Sequence, residues 1–153
     1  MATLHLMVGL PGSGKTTYAN ELSINENALL LTTDVWHIKL YGHDEDDLEL
    51  HNERHTRIEQ IIWGVAERVL EMGSNVILDF GFWNRKERDD FRNRAKDLGV
   101  TFKLHYMDVP YFELYRRIEE RNKNPQDGVF IIPKSYMDIF IPVFEVPNDD
   151  ELV

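Results

Sequence analysis

Short apolar runs alternate with longer stretches of helical periodicity along most of the chain. The runs at 4–8, 28–32, 75–79 and 101–107 have the length and composition of buried strands. The longest helical stretch, from about 51 to 72, ends at Gly73 and carries one apolar stripe of Ile58, Ile61, Ile62, Val65, Ala66, Val69 and Leu70. Strands that alternate with helices form mainly parallel sheets with helices on both faces. The pattern therefore predicts an α/β protein, a three-layer α/β/α sandwich with at least four strands.

Shorter helices and polar segments complete the predicted outline. Further helices are expected at 15–22, 35–40, 84–98, from 110 onward and at 133–140. Asn84 and Glu87 have the spacing of a capping pair at the start of one of them. The acidic segments 44–47 and 147–151 are interpreted as solvated loops. We expect one domain over residues 1–142, followed by an acidic tail at 143–153.

A glycine-rich loop connects the first strand to the first helix. Gly9-Leu10-Pro11-Gly12-Ser13-Gly14-Lys15-Thr16 matches G-x-x-x-x-G-K-[ST] at every specified position. Backbone N–H groups of such a loop point at phosphate oxygens, and the positive end of the following helix adds to the attraction. The loop predicts ATP binding through Gly12, Ser13, Gly14, Lys15, Thr16 and Thr17. Lys15 is expected to reach the β- and γ-phosphates, and the Thr16 hydroxyl to bind Mg²⁺.

Composition narrows the classes of function. The chain carries 17 Lys+Arg against 27 Asp+Glu, a formal net charge of −10, which disfavours a long nucleic acid as partner. It has no cysteine, which excludes disulfides and thiolate chemistry. No apolar run is long enough to span a membrane, and no basic region precedes an apolar N-terminal stretch. We therefore expect a cytoplasmic protein with no membrane partner; its oligomeric state stays open.

Two carboxylates follow predicted strands at the edge where parallel sheets bind ligands. Asp34 comes after the second strand, where it could take a proton from an attacking hydroxyl or merely cap a short helix. Asp79 ends the third strand, where it could hold a magnesium-bound water, orient an acceptor or complete a turn. Arg117 and Arg121 are four residues apart and share one helix face. An arginine that closes over the γ-phosphate would stabilise the transition state.

Together these residues resemble a family of P-loop kinases that includes the 5′-kinase domain of phage-type polynucleotide kinases and small bacterial zeta-toxin-like and chloramphenicol-phosphotransferase-like proteins. The similarity covers about 4–140 and consists of the phosphate loop, Thr33-Asp34, Ile77-Leu78-Asp79 with Asn84 and Arg88, Leu114 to Arg121, and Ile132-Pro133. The resemblance implies that Asp34 is the general base, that Arg121 is a lid arginine at the phosphates, and that Arg117 lies near the nucleotide base. It also implies a helical lid at about 116–133.

The chain departs from that family on the acceptor side. Polynucleotide kinases carry an arginine where this chain has His37, and their relatives usually have a fifth strand after the lid. The resemblance implies acceptor contacts from Asp34, His37, Asp79 and Arg88. The bulky residues that follow Asp79 and the acidic charge favour a small acceptor over a polynucleotide.

Histidines and aromatic residues surround the predicted site. His51 and His55 have a spacing that can bind zinc, but Glu53 is misplaced for either common zinc-protease motif. We favour the interpretation that both histidines, with Arg57, line the acceptor pocket or the polar face of the long helix. Trp36, Phe82 and Trp83 are either core residues or an aromatic wall of that pocket.

The sequence thus predicts an ATP- and Mg²⁺-dependent phosphotransferase that acts on a hydroxyl of a small molecule such as a nucleoside or nucleotide. A polynucleotide 5′-hydroxyl kinase and a non-catalytic ATP-binding regulator are the alternatives.

Overall fold

A computed structural model describes residues 1–152 of the chain. Its sheet has four strands, β1 (Thr3–Val8), β2 (Ala28–Thr32), β3 (Asn75–Gly81) and β4 (Thr101–Tyr106). They lie in the order β2-β3-β1-β4, and every neighbouring pair is parallel. The predicted strands and sheet are confirmed, and no fifth strand occurs within 1–152. The loops that follow β1, β2 and β3 therefore meet at one edge of the sheet.

Six α-helices and one 3₁₀ turn surround the sheet. They are α1 (Lys15–Asn25), α2 (Thr33–Tyr41), α3 (Leu48–Glu71), α4 (Arg85–Leu98), α5 (Tyr111–Lys123), α6 (Lys134–Val143) and the turn Asp149–Glu151. Asn84 accepts a hydrogen bond from the Glu87 N–H at 2.8 Å, as the predicted cap requires. Within the described part of the chain, no helix combines the length and apolar character that crossing a bilayer demands.

Alternate residues of the central strands face two separate cores. Leu4, Leu6 and Val8 of β1 pack in the larger core, to which α3 contributes the buried residues of its apolar stripe. Met7 and Ile77 face the other way and pack against Ala19 of α1. The sheet therefore lies between helices on both faces, which is the predicted three-layer α/β/α sandwich.

The acidic C-terminal segment packs against α4, so its interpretation as a solvated loop was wrong. Glu151 forms an ion pair with Arg88 at 2.7 Å, and both side chains are 1% exposed. Arg88 also donates to the Phe82 carbonyl at 3.0 Å. The acceptor contact expected of Arg88 is therefore wrong as well, because its guanidinium is buried between the tail and the end of β3.

The acidic segment between α2 and α3 is not a solvated loop either. The Asp44 side chain is 8% exposed and accepts hydrogen bonds from two histidines and Arg54. Glu45 accepts the Ile131 N–H at 2.9 Å, and its carbonyl accepts the Tyr136 hydroxyl at 2.6 Å. These contacts fasten the segment to the loop that precedes α6 and to α6 itself.

Candidate active site

The phosphate loop forms a backbone cradle between β1 and α1. Gly12 and Gly14 have φ values of +85° and +86°, a region that side chains other than glycine rarely adopt. Gly14 caps α1 without any side-chain bond, so the first N–H groups of the helix have no partner inside it. The Gly9 N–H donates to the Gly81 carbonyl at 3.0 Å and ties the loop to β3. The cradle can accept an anionic group such as a phosphate.

Asp79 and Thr16 meet at the floor of this cradle. The Thr16 hydroxyl donates to Asp79 Oδ2 at 2.7 Å, and the Thr32 hydroxyl approaches the same oxygen at 3.3 Å. Asp79 Oδ1 is buried and has no hydrogen-bond partner. A buried carboxylate oxygen without a partner, next to a threonine hydroxyl, fits a water-coordinated Mg²⁺. Because Asp79 lies inside β3 and accepts from the loop, the alternative of a simple turn residue is not supported.

The two arginines of α5 have different surroundings. Arg117 donates to the Gly12 carbonyl at 3.2 Å and to Glu113 at 3.1 Å, so it lies against the phosphate loop. Arg121 Nε is buried without a hydrogen-bond partner. Burial lowers the pKa of Arg121, while the charge of Asp34 opposes that shift. An arginine with an unused buried donor is available to an anion at this edge of the sheet.

The side chain of Asp34 faces a cavity beside the phosphate loop. The residue lies in the first turn of α2 but does not cap it, because Thr32 holds the N-cap position. Its side chain is 44% exposed, and its Oδ1 lies 3.6 Å from His55 Nε2. Asp34 lines a cavity of about 560 Å³ together with Lys15, His55, Glu59, Trp83 and Phe140. A proton acceptor and the loop lysine therefore share one cavity.

A second cleft, of about 700 Å³, lies between α2 and the loop that precedes α6. It is lined by residues such as Lys39, Asp127 and Tyr136 and by none of the phosphate loop. Size alone does not locate the chemistry, so we place the candidate site in the cavity that contains Lys15 and Asp34.

Glu59 is a feature of the cavity that the sequence did not reveal. Burial, together with the nearby charges of Glu87 and Asp34, raises the pKa of Glu59 to about 8, and a hydrogen bond from Thr33 opposes the shift. Glu59 is therefore largely protonated near neutral pH and can donate as well as accept a hydrogen bond. One feature of the sequence could have indicated it, because Glu59 lies four residues after His55 and therefore on the same face of α3.

The three histidines near the site differ in their exposure to the cavity. His51 and His55 line the cavity, as expected, whereas Arg57 forms an exposed ion pair with Glu53. The His37 side chain is 0% exposed and contacts His55 and Asp44, so its expected acceptor contact is wrong. Burial and then the neighbouring His51 lower the pKa of His55 to about 3. The contact of His55 with Asp34 is consequently not an ion pair at neutral pH.

Of the three aromatic residues predicted beside the site, two line the cavity and one packs in the core. Trp83 and Phe82 line the cavity, although Phe82 is almost fully buried. Trp36 packs against the core and does not line the cavity. The Trp83 indole donates to the Gly9 carbonyl at 3.3 Å, so this wall also holds the phosphate loop in place.

Comparison with known proteins decides the family. The sequence model described as "AAA domain" matches residues 4–138, most of the chain and all four strands. The chain belongs to this family.

Solved structures of similar fold support a P-loop kinase fold for this AAA-domain protein. A chain of the Pnkp1/Rnl/Hen1 RNA repair complex superposes with a TM-score of 0.73 at 26% identity, over 93% of this chain and 43% of that one. A gluconokinase from Sinorhizobium meliloti gives 0.64 at 14% identity, over 99% and 79%. Chaetomium thermophilum Kti12 in complex with ADP-AlF3 gives 0.65 at 21% identity, over 95% and 81%. The chain thus spans less than half of the RNA-repair chain that it matches.

Proposed function

We propose that this AAA-domain protein transfers the γ-phosphoryl group of ATP to a hydroxyl of a small molecule. The observation that carries the proposal is the shared cavity, in which the accessible carboxylate of Asp34 and the loop lysine Lys15 line one space. A kinase needs a proton acceptor on one side of the transferred group and cations on the other. The kinases among proteins of similar fold support the same reaction type.

The donor side is assigned to the phosphate loop and to α5. The N–H groups of the cradle and Lys15 would bind the β- and γ-phosphates, while Arg117 steadies the loop through Gly12. Mg²⁺, held through Thr16 and Asp79, would neutralise charge on the phosphate oxygens. Arg121 would donate its unused Nε–H to the γ-phosphate as charge develops there.

The acceptor side is assigned to Asp34. Its carboxylate would take the proton of the acceptor hydroxyl as that oxygen bonds to the γ-phosphorus. The bond between the γ-phosphorus and the bridging oxygen breaks, and ADP leaves with the electron pair. Protonated Glu59, in the same cavity, would orient the acceptor by a hydrogen bond.

Cavity size and charge favour a small acceptor over a polynucleotide. About 560 Å³ holds a molecule of metabolite size. Asp34 and Glu45 both line the cavity, and negatively charged side chains repel a phosphodiester backbone. A polynucleotide 5′-hydroxyl kinase is the second candidate, because a chain of an RNA repair complex is similar to this chain at 26% identity.

The test is transfer of label from [γ-³²P]ATP to nucleosides, sugars, aminoglycosides and 5′-hydroxyl oligonucleotides. With the acceptor that becomes labelled, Asp34→Asn should lower kcat about 10²- to 10⁴-fold, because general-base catalysis is lost. Asp97→Asn, an exposed carboxylate on α4, is the matched control and should leave kcat unchanged. Tight ATP binding without transfer to any acceptor would indicate the regulator, and full activity of Asp34→Asn would refute the assigned base.

A further inference from the structure

Three histidines form a cluster at the back of the cavity that the proposed phosphoryl transfer does not use. His37 comes from α2, and His51 and His55 come from α3. One ring nitrogen of each lies within 4.8 Å of a ring nitrogen of the other two. The cluster therefore joins two helices at the point where they contribute to the cavity wall.

Asp44 fixes which nitrogen of two of these rings carries a hydrogen. Its Oδ2 lies 2.8 Å from His37 Nε2, and its Oδ1 lies 2.7 Å from His51 Nδ1. Arg54 Nη1 also donates to Oδ2, at 3.1 Å, so the carboxylate of Asp44 pairs with a permanent cation as well as with the two rings. An ionised carboxylate only accepts, so the hydrogens lie on His37 Nε2 and His51 Nδ1. The remaining nitrogens, His37 Nδ1 and His51 Nε2, then carry lone pairs.

His55 completes a set of three nitrogen donors. Its Nδ1 lies 3.0 Å from His37 Nδ1, which already carries a lone pair, so without a metal His55 Nδ1 must be the donor. If a metal takes both nitrogens, the hydrogen of His55 moves to Nε2, which faces Asp34 Oδ1 at 3.6 Å. Each of the three rings would then have a carboxylate beside its second nitrogen, an arrangement that orients metal-binding histidines.

We propose that His37, His51 and His55 bind one Zn²⁺ ion. Asp44 would orient His37 and His51 through hydrogen bonds from their second ring nitrogens. Tetrahedral zinc with Zn–N bonds of about 2.0–2.1 Å places its nitrogen ligands about 3.4 Å apart. His37 Nδ1 and His55 Nδ1 are already 3.0 Å apart, and one ring nitrogen of His51 lies within 4.8 Å of a ring nitrogen of each. The His51 ring is stacked on His37 with centroids 4.4 Å apart, so it would have to turn to direct Nε2 at the ion. Neutral imidazoles suit zinc and similar transition metals, not Mg²⁺. Three protein ligands leave the fourth position for water.

The test measures zinc binding without ATP or an acceptor, so its result does not depend on the proposed kinase activity. Metal-depleted protein is titrated with Zn²⁺ against a chromophoric chelator, and with Co²⁺ while the visible spectrum is recorded. One equivalent of Zn²⁺ should bind, and Co²⁺ should develop the intense bands of a tetrahedral site. Absence of those bands at one equivalent of Co²⁺ in the unaltered protein would overturn the proposal.

Variants separate this cluster from other histidines. His51→Asn should weaken zinc binding at least 100-fold, and Asp44→Asn about 10- to 100-fold, as expected for an orienting carboxylate. His105→Asn is the matched control, because His105 contacts His5 at 2.9 Å, outside the cluster. Circular dichroism of the metal-free variants checks folding, and His55→Gln replaces His51→Asn if the latter unfolds. Equal zinc affinity in His51→Asn and the unaltered protein, or an equal loss in His105→Asn, would contradict the assignment.

Discussion

The ion pair between Arg88 and Glu151 should contribute strongly to the stability of the domain, and replacing Glu151 with glutamine tests this. The carboxylate accepts from Arg88 Nε at 2.7 Å, from Arg88 Nη2 at 3.3 Å and from the Asn148 N–H at 2.8 Å. Glutamine keeps the shape but removes the charge, which leaves the Arg88 guanidinium buried with the Phe82 carbonyl as its remaining strong acceptor.

The magnitude follows from the burial of both partners. Breaking a buried ion pair by removing one charge costs about 3–5 kcal/mol, and the amide oxygen of glutamine keeps one acceptor, so we expect about 3 kcal/mol. With a urea m value of about 2 kcal/mol/M, the unfolding midpoint should fall by about 1.5 M. The contact of Arg85 with Asp150 is the matched control, since these side chains are 36% and 63% exposed. Asp150→Asn should shift the unfolding midpoint far less, because water and salt screen an exposed ion pair.

Urea unfolding followed by circular dichroism measures both variants. Hydrogen exchange of the Glu151 and Leu152 amides, which donate to the Asn148 and Asp149 carbonyls, reports whether the tail detaches first. The double replacement Arg88→Met with Glu151→Leu should restore most of the lost stability, because an apolar pair needs no compensating charge. If Glu151→Gln lowers the free energy of unfolding no more than Asp150→Asn, the reasoning is refuted.

Three further changes test the site. Lys15→Ala should lower kcat/KM for the labelled acceptor about 10²- to 10³-fold in steady-state assays, because a cation at the transferred group is lost; an unchanged value would contradict the donor assignment. Gly12→Ala should weaken ATP binding and cost more stability than Gly73→Ala, since both have positive φ but only the Cβ at position 12 would meet Ile118, at 3.1 Å; equal effects in calorimetry and urea unfolding would count against this. The raised pKa of Glu59, about 8, means that between about pH 4.5 and 8 the native state binds more protons than the unfolded one. Stability should therefore fall as pH rises through that range, by up to about 1.4 kcal/mol per unit, and Glu59→Gln should flatten the profile of unfolding free energy against pH.

The fold could be predicted from the sequence because its signals are local. Each strand is a short apolar run, and the stripe on α3 repeats with the helical period, so both kinds of element follow from neighbouring residues. The donor side is equally local, since Gly9 to Thr16 are consecutive and their geometry depends on backbone conformation.

The acceptor side could not be predicted in the same way, because distant segments meet there. Asp44 and Glu151 look alike in the sequence, each within a run of acidic residues that suggests a solvated loop. Both are buried only because a basic or histidine partner from another element meets them, as Arg88 meets Glu151 over a separation of 63 residues. The wrong expectation for Arg88 has the same origin, since a family motif gives a position but not the partner that neutralises it.

The position of Asp34 links the two halves of the site and suggests how the histidine cluster would influence catalysis. Asp34 faces the cavity on one side and His55 Nε2 on the other, and His55 contacts His37, which is held by Asp44. With zinc bound, His55 would present an N–H to Asp34, and a hydrogen bond to the carboxylate stabilises its charged form. A carboxylate whose charged form is stabilised accepts a proton less readily. Zinc should therefore decrease the rate with Asp34 intact and have little effect in Asp34→Asn, a difference that steady-state assays with and without zinc can measure.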